Sequence, residues 1–302
     1  MRPTLTGLLA GKTHLSQYMA ETYPNTLALR RSIRDACGPI RFAPGTSRDG
    51  GPVGSAFDML VTMTVQPDRV PLDPAPSLLW RREQAELAAV VIQRAAAGVK
   101  SGDRSDDILR ALWILGLLVN SIRSVQSYQY SPVTAAVQDS SGVEETLSRL
   151  HEVIPQAGLD EVRQLDSIAA VELYPRLGQT VHLHPWLSND ALMAEADIIT
   201  DGLLLDLKSS RGTTNSAGAY ALLPTARDIY QIVLYGLLSR GEPEERYGRV
   251  TDVGIYAARY GTLVAWPLEQ LMLILAGNAP DPDAELEHIL ALVDQEDYDP
   301  FA

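Results

Sequence analysis

Two aspartates and a lysine flank an Asp-Gly pair, and their types and spacing are those of a cation-binding site. The pair, Asp201-Gly202, lies between aliphatic runs, which is the strongest short-range signal for a two-residue β-hairpin. In such a hairpin Asp197 faces Asp206, and the alternation of side chains puts Lys208 on the same face as Asp206. We therefore expect two opposed carboxylates with an ammonium group beside them.

Opposed carboxylates need a compensating charge. Facing Cβ atoms lie about 4.5–5.5 Å apart, and two carboxylates about 5 Å apart repel by roughly 3 kcal/mol at an effective dielectric constant of about 20. A divalent cation supplies the compensation, since Mg²⁺ and Mn²⁺ prefer carboxylates, main-chain carbonyls and water. Lys208 can then orient or help activate a water, or stabilise a phosphate transition state. The same register places Glu195 opposite Lys208.

The pattern is also compatible with solvated charges on a half-exposed sheet, which is a common arrangement. Two features favour a site. Only three of the 25 basic residues are lysines, so arginine is the default cation of this sequence. Lys208 nevertheless lies in the most apolar strand, shortly after three consecutive leucines.

The elements that must position these residues follow from hydrophobic periodicity. After Leu173 the pattern predicts strands at 180–183, 196–200 and 203–208, a helix at 225–239, strands at 250–259 and 262–266, and two weaker helices that close the chain. Before Leu173 the pattern is helical, with an amphipathic segment within 1–40, a helix that starts near Gly54, two helices between 79 and 125, and one at 143–154.

Composition limits the classes of protein that this chain can belong to. It has 302 residues, of which 46% are hydrophobic, enough for one or two globular domains. The apolar start is broken by Lys12 and is too short for a signal peptide, and the longest uncharged apolar run, 111–119, is far below the roughly 20 residues of a membrane helix. We expect a cytoplasmic protein without membrane association.

The single cysteine and the net charge set further limits. Cys37 alone excludes an internal disulfide, a four-cysteine zinc site and an iron–sulfur cluster held by this chain. The net charge of −13 argues against generic high affinity for nucleic acid. The charge is uneven, however, because residues 281–302 carry eight carboxylate side chains and no lysine or arginine, whereas four arginines cluster near the N-terminus, at Arg30, Arg31, Arg34 and Arg41. A local basic path is therefore possible.

The order of motifs resembles the RecB-type branch of the PD-(D/E)xK nuclease superfamily. In that pattern an Asp ends one strand, an acidic-x-Lys follows on the next strand, and Gln-x-x-x-Tyr lies on the following helix. The corresponding residues here are Asp197, Asp206-Leu207-Lys208, and Gln231 with Tyr235. Gln231 and Tyr235 are four residues apart, on one helix face together with Arg227. The resemblance covers residues 50–62 and about 180–265.

A second element of that branch is an upstream helix that opens with Gly and bears a His or acidic metal ligand. Residues 54–58 are similar to it, with Asp58 in the place often held by His. This departure still leaves an oxygen ligand. The cysteine cluster of the iron–sulfur-bearing CRISPR-associated exonucleases of this branch is absent, so the resemblance is to the cluster-free members.

The resemblance implies an α/β (α+β) fold, a restriction-endonuclease-like central mixed β-sheet flanked by helices with a helical subdomain. The expected divisions are an N-terminal segment with the first core helix at 1–75, the helical subdomain at 76–165, and the nuclease core with an acidic C-terminal tail at 166–302. It implies a deoxyribonuclease whose Mg²⁺ or Mn²⁺ ligands are Asp58, Asp197, Asp206 and the carbonyl of Leu207. Lys208, Gln231 and Tyr235 complete the implied catalytic set. The choice between exonuclease and endonuclease stays open.

Two other functional hypotheses fit parts of the sequence. A catalytically silent, nuclease-like scaffold could bind DNA or other proteins of a repair, mobile-element or defence system, which would suit the acidic composition. A metal-free glycosidase with Asp197 and Asp206 as acid and base would need an aromatic-rich cleft, and only 6% of the residues are aromatic.

Two weaker motifs point to other kinds of site. His182 and His184 lie two apart on a predicted strand and could bind zinc with a third ligand such as Asp190, although no recognisable zinc spacing is completed. Residues 7–13 resemble a Walker A loop but lack its first glycine and a preceding strand.

Overall fold

The computed structural model describes residues 3–41, 50–67, 82–121, 128–187, 192–214, 218 and 220–296. The fold is mixed α/β, with a five-stranded mixed sheet flanked by helices. Contacts divide the chain into a sheet unit, Met1–Arg41 with Val171–Ala302, and a helical unit, Phe42–Ala170. The N-terminal helices thus belong with the sheet, whereas the sequence-based boundaries placed them in a separate segment. In the described part of the chain, no helix is long and apolar enough to cross a membrane.

Three helices open the sheet unit, as the amphipathic pattern predicted: α1 (Leu5–Ala10), α2 (His14–Thr22) and α3 (Thr26–Cys37). The Thr4 side chain caps α1, and Thr13 forms a capping box with Ser16 at the start of α2. The Walker-like segment is therefore a helix followed by a capped turn. Cys37 lies on the buried face of α3, and burial raises the pKa of its thiol to about 11.

The described residues of the helical unit form helices α4 (Gly50–Val65), α5 (Arg82–Lys100), α6 (Asp106–Ser121), α7 (Pro132–Gln138), α8 (Val143–Val153) and α9 (Gln156–Glu172). Helix α6 packs against both α4 and α5. The close approach depends on Gly116, where a Cβ atom would lie 2.8 Å from Ser55 Cβ. Helices α7 and α9 were not expected; Pro132 and Pro155 stand at their starts, where proline is tolerated because the first N–H groups lack helical partners.

The remaining elements are strands β1 (Val181–Leu183), β2 (Ile198–Thr200), β3 (Leu203–Lys208), β4 (Thr213–Thr214), β5 (Tyr220–Ala221), β6 (Asp252–Ala257) and β7 (Thr262–Pro267), and helices α10 (Ala226–Arg240), α11 (Glu244–Tyr247), α12 (Leu268–Ala276) and α13 (Pro282–Asp294). Two short 3₁₀ turns cover Tyr174–Arg176 and Ala258–Tyr260. The main sheet has the order β1-β2-β3-β6-β7, and β4 pairs with β5 separately. Only the β3–β6 pair of the main sheet is parallel, with α10 as the crossover between them.

The core of the sheet unit lies between the sheet and α10. Leu204 and Leu205 are both fully buried, so β3 is covered on its two faces. Helix α10 is apolar around most of its circumference and contacts β3, β6, α1, α3 and α13. This combination of a central strand and a central helix fixes the two elements that carry the predicted site residues.

The β2–β3 hairpin has the predicted turn and register. Ile199 pairs with Leu204, and both turn residues adopt positive φ, 43° at Asp201 and 86° at Gly202. The Asp201 carboxylate also accepts hydrogen bonds from the backbone N–H groups of Gln179 and Thr180, at 3.1 and 3.2 Å. The turn therefore holds the segment that enters β1 as well as the two strands it joins.

The conformation of Gly202 leads to a test of the hairpin. Gly202→Ala should lower the free energy of unfolding by about 1–2 kcal/mol, because an alanine at positive φ places its Cβ against carbonyl oxygen; here Arg249 O lies 3.2 Å from the position of that Cβ. Gly241→Ala is the control, since Gly241 has φ −76° and only ordinary contacts at 3.4 Å. It should change the stability by less than about 0.5 kcal/mol in urea unfolding. Equal stability of the two variants would contradict the turn assignment.

Candidate active site

Three separate elements bring polar side chains together at one place in the sheet unit. The carrier elements are the residue before β2, the end of β3 and the first half of α10. Five of the residues predicted from the sequence meet there, together with one that was not predicted: Asp197, Asp206, Lys208, Gln231 and Tyr235, with Asp228.

The ammonium group of Lys208 is the centre of this cluster. Its Nζ lies 2.8 Å from Asp206 Oδ2 and 3.1 Å from Asp228 Oδ1. It also donates to Gln231 Oε1 at 3.3 Å. Three oxygen acceptors therefore surround an ammonium group that has three protons to donate.

Gln231 and Tyr235 act as a pair on one face of α10, as their spacing predicted. Gln231 Nε2 donates to the Tyr235 hydroxyl at 2.9 Å, which leaves Oε1 of the same amide to accept from Lys208. Tyr235 is only 3% exposed. The buried ring thus fixes the orientation of the amide, and the amide fixes one side of the ammonium group.

Asp197 immediately precedes β2, near the start of the strand predicted at 196–200. Its carboxylate accepts a short hydrogen bond from the backbone N–H of Leu207, and its backbone carbonyl accepts from the N–H of His184 at 2.9 Å. The β2–β3 ladder ends at the Ile198–Leu205 pair, so the Asp197 side chain replaces the next backbone bond. The carboxylate is thereby held beside Leu207, the residue between Asp206 and Lys208.

Burial and neighbouring charges shift the pKa values of the cluster in opposite directions. Burial raises the pKa of Asp206, which is 3% exposed, and the nearby Lys208 only partly opposes this. Burial alone would lower the pKa of Lys208, but the carboxylates of Asp206 and Asp228 raise it above its usual value. Burial would raise the pKa of Asp228, but Lys208 and hydrogen bonds from Thr225 lower it. The ammonium group is therefore kept charged among an excess of carboxylates.

Asp228 was missed by the sequence interpretation, although a signal for it exists. The residues from Thr225 to Asp228 match the capping-box pattern, and both of its hydrogen bonds are formed at the start of α10. Asp228 also precedes Gln231 by three residues, which places the two on neighbouring positions of one helix face. Arg227, which the sequence interpretation placed on that face, is exposed.

Arg259 and Tyr260, which lie outside the predicted catalytic set, hold the chain that follows Lys208. The guanidinium of Arg259, 1% exposed, donates through Nε to the carbonyl of Ser209 in a short hydrogen bond. The hydroxyl of Tyr260 donates to the carbonyl of Arg211 at 2.6 Å. Both residues belong to the 3₁₀ turn after β6, so their contacts with Ser209 and Arg211 fix the segment that follows β3. They are positioning residues.

The donor set is suited to a hard divalent cation. Mg²⁺ is commonly bound through one or two carboxylates while it keeps several waters. Asp197 and Asp206 supply such carboxylates, and the carbonyl of Leu207 belongs to the residue between Asp206 and Lys208. A cation beside Asp206 would favour its ionised form. Among the described residues, no three His, Cys, Asp or Glu side chains are arranged to hold a metal ion.

Asp58, the fourth ligand implied by the resemblance, lies in the helical unit. It is half-buried on α4, and its backbone carbonyl accepts from Thr62 Oγ1 at 3.0 Å. Asp197 and Asp206 belong to the sheet unit. The role of Asp58 as a metal ligand stays a prediction.

Glu195 does not face Lys208 as expected. The chain before β2 turns away from the hairpin ladder: Glu195 forms a bridge with Trp186, and its carboxylate lies 3.1 Å from His184 Nδ1. His184 follows β1 with a φ of 47°, while the ring of His182 packs edge-on against Tyr247. The two imidazoles thus make different contacts, and Asp190 lies outside the described residues.

Comparison with known proteins gives no family assignment for this chain: no protein-family model matches it, and no curated protein does.

The raised pKa of Asp206 predicts how the stability of an Asp206→Asn variant depends on pH. A group whose pKa is raised by folding stabilises the folded state below its unfolded pKa, about 3.9 for Asp, and this contribution is lost as pH rises through the folded pKa. The wild-type protein should therefore lose stability relative to Asp206→Asn as pH rises above about 4. Urea unfolding across a pH series measures this difference, and we expect it to shift in favour of the variant as pH rises from about 4 to about 7.

Asp283→Asn is a control of opposite sign in the same unit. A hydrogen bond from Arg240 lowers the pKa of Asp283, so this variant should be less stable than wild type above about pH 3.9, with a difference that shrinks as pH falls. A stability difference between Asp206→Asn and wild type that stays constant across the pH series, or that shifts in favour of wild type as pH rises, would contradict the account of a buried, disfavoured charge.

Proposed function

We propose that this chain is a metal-dependent nuclease that hydrolyses DNA phosphodiester bonds and that it belongs to the RecB-type branch of the PD-(D/E)xK superfamily. The observation that carries the proposal is the buried contact between the Asp206-Leu207-Lys208 motif and the Gln231–Tyr235 pair. In this proposal the mixed sheet is a restriction-endonuclease-like core, and Mg²⁺ or Mn²⁺ is held by Asp197, Asp206 and the carbonyl of Leu207.

Burial supports a site over solvated surface charges. A carboxylate on a half-exposed sheet face would stay in water, whereas Asp206 is 3% exposed and only 2.8 Å from an ammonium group. Buried charges are costly unless they are paired, and perturbed pKa values cluster at functional sites. Residues from three separated parts of the chain would have no reason to converge on a solvated lysine.

In the proposed mechanism Lys208 stabilises negative charge that develops on the phosphate. The two carboxylates beside it raise its pKa, so it is a cation at neutral pH and not a general base. Gln231 and Tyr235 orient the ammonium group from α10, and Asp228 contacts it from the first turn of the same helix. A bound divalent cation would supply Lewis-acid polarisation of the phosphate and lower the pKa of a water.

Cleavage assays test this assignment directly. Lys208→Ala and Asp206→Ala should each lower the rate of DNA hydrolysis by at least about 10²-fold, since each removes a charge that acts on the transition state. The assay uses linear, circular and single-stranded DNA with Mn²⁺ or Mg²⁺, and EDTA as the metal-free arm.

Lys12→Ala is the matched control, because Lys12 is an exposed lysine of the sheet unit and should keep wild-type activity. Circular dichroism of each variant checks that the fold is retained. Undiminished metal-dependent cleavage by a folded Lys208→Ala protein would overturn the assignment.

A second candidate function is that of a silent nuclease-like scaffold that binds DNA or a protein partner. The observations that favour it are the net charge of −13 and the ammonium group of Lys208, which is already neutralised by Asp206 and Asp228. In this alternative the cluster would be structural and would need no metal.

Titration calorimetry with Mn²⁺ separates the two candidates. A nuclease should bind Mn²⁺, and Asp197→Asn should weaken this binding strongly because one of two carboxylate ligands is lost. Asp294→Asn, which alters an exposed carboxylate on α13, should bind as wild type does. Wild-type protein that releases no Mn²⁺-dependent heat, and cleaves no DNA, would favour the scaffold.

A further inference from the structure

Helix α3 is basic in a chain that is otherwise strongly acidic. Residues 22–41 contain four arginines and a single acidic residue, Asp35, although the whole chain has a net charge of −13. Three of these arginines lie on α3 itself, and we refer to Arg30, Arg31 and Arg34 as the arginine strip. A local excess of positive charge in an acidic protein favours contact with an anionic partner at that place.

The arginine strip lies on one flank of α3. Leu29, Ile33 and Cys37 form the buried face. At about 100° per residue, the three arginines fall within an arc of about 100° between that face and solvent, whereas Asp35 lies beyond it. The strip therefore covers just over one turn of α3, about 6 Å along the helix axis.

This flank borders the start of α10. The Nε of Arg30 donates to the carbonyl of Pro224, the residue before the Thr225 cap, in a short hydrogen bond. Asp228, in the first turn of the same helix, contacts Lys208 at 3.1 Å. Arg227 is exposed in that turn and adds a further cation at the start of α10.

The other end of α3 leads to the chain that follows Lys208. The backbone N–H of Arg41 donates to the carbonyl of Arg259 at 3.2 Å, and Arg259 holds Ser209. Two residues further along, Arg211 lies over the ring of Tyr220, with its guanidinium carbon 5.7 Å from the ring centre. The chain that follows Lys208 thus carries a cation placed over an aromatic ring, a pairing found where single strands of nucleic acid are bound.

We propose that the arginine strip, with Arg227, binds the phosphate backbone of a nucleic acid strand and guides it to Lys208. The inference rests on the proposed nuclease function and specifies the surface that binds the substrate. Guanidinium groups pair with phosphate oxygens through two parallel hydrogen bonds, so a row of them along a helix suits a repeating phosphate better than a single acidic group. Binding through such contacts weakens steeply with salt.

The test compares two triple variants that lose the same charge. Arg31→Gln/Arg34→Gln/Arg227→Gln removes two exposed cations of the proposed surface, Arg31 and Arg227, and the half-buried Arg34, which is paired with Asp35 at 2.7 Å. It spares Arg30, whose hydrogen bond to Pro224 helps to place α10. Arg82→Gln/Arg149→Gln/Arg246→Gln removes three exposed arginines of other helices, each paired with a carboxylate of its own helix or the preceding turn. Fluorescence anisotropy measures binding of a short labelled single-stranded oligonucleotide in EDTA, between about 50 and 200 mM salt.

The surface variant should bind at least tenfold more weakly than wild type, and its salt dependence should fall by about one unit of slope for each lost phosphate contact. The matched variant should keep the wild-type affinity and slope. The corresponding triple Arg→Lys variant of the surface should bind with an affinity between those of wild type and the Arg→Gln variant, because lysine keeps the charge but loses the two parallel hydrogen bonds, and this distinguishes loss of charge from loss of fold.

Wild-type affinity in the surface variant would overturn the inference, whether or not the protein cleaves DNA. Displacement of the oligonucleotide by polyglutamate at equal charge would also overturn it, by assigning the strip to an acidic protein partner. Because binding is measured in EDTA, the result does not depend on catalysis. Strip-dependent binding without cleavage in Mn²⁺ would support the surface and count against the nuclease proposal alone.

Discussion

The Lys208 ammonium group, paired with the carboxylates of Asp206 and Asp228, is the interaction that the rest of the sheet unit must support. Loss of one partner from a buried ion pair costs about 3–5 kcal/mol, while the intact pair adds little net stability over an apolar pair. Strand β3 and helix α10 must therefore hold Lys208 against Asp228 by other means. The apolar circumference of α10 and the capping box at Thr225 do so, and Arg259 fixes the chain just beyond the lysine. The aliphatic core thus sustains a cluster that would not form by its own attraction.

The hairpin and the main residues of the site could be predicted because they depend on local rules. Asp201-Gly202 accepts the two positive φ angles that a two-residue turn requires, and the turn length then determines the register. Period-two alternation placed Asp206 and Lys208 on one face. The spacing of Gln231 and Tyr235 placed them on one side of a helix whose bounds followed from its periodicity. In each case the decisive interactions lie within one turn, one strand pair or one helix.

The remaining features depend on contacts between elements that the sequence pattern cannot pair. The contact of Asp228 with Lys208 requires the crossover helix to return to β3, and Arg259 reaches Ser209 only because β6 lies parallel to β3. Glu195 was misplaced because the chain before β2 pairs with the segment after β1 instead of extending the hairpin. The grouping of the N-terminal helices with the sheet also rests on packing between distant segments. Such tertiary contacts override local preference.

The division of the chain also bears on how this architecture can be varied. The sheet unit is interrupted after Arg41 and resumes at Val171, and the Arg41 guanidinium pairs with the carboxylate of Glu172 just beyond that point. The two ends of the interruption are thus neighbours on the sheet unit, the arrangement in which domain insertion is tolerated. The polypeptide between Arg41 and Val171 is topologically an insertion. Its exchange or shortening would alter neither the strand order nor the chain path through the sheet.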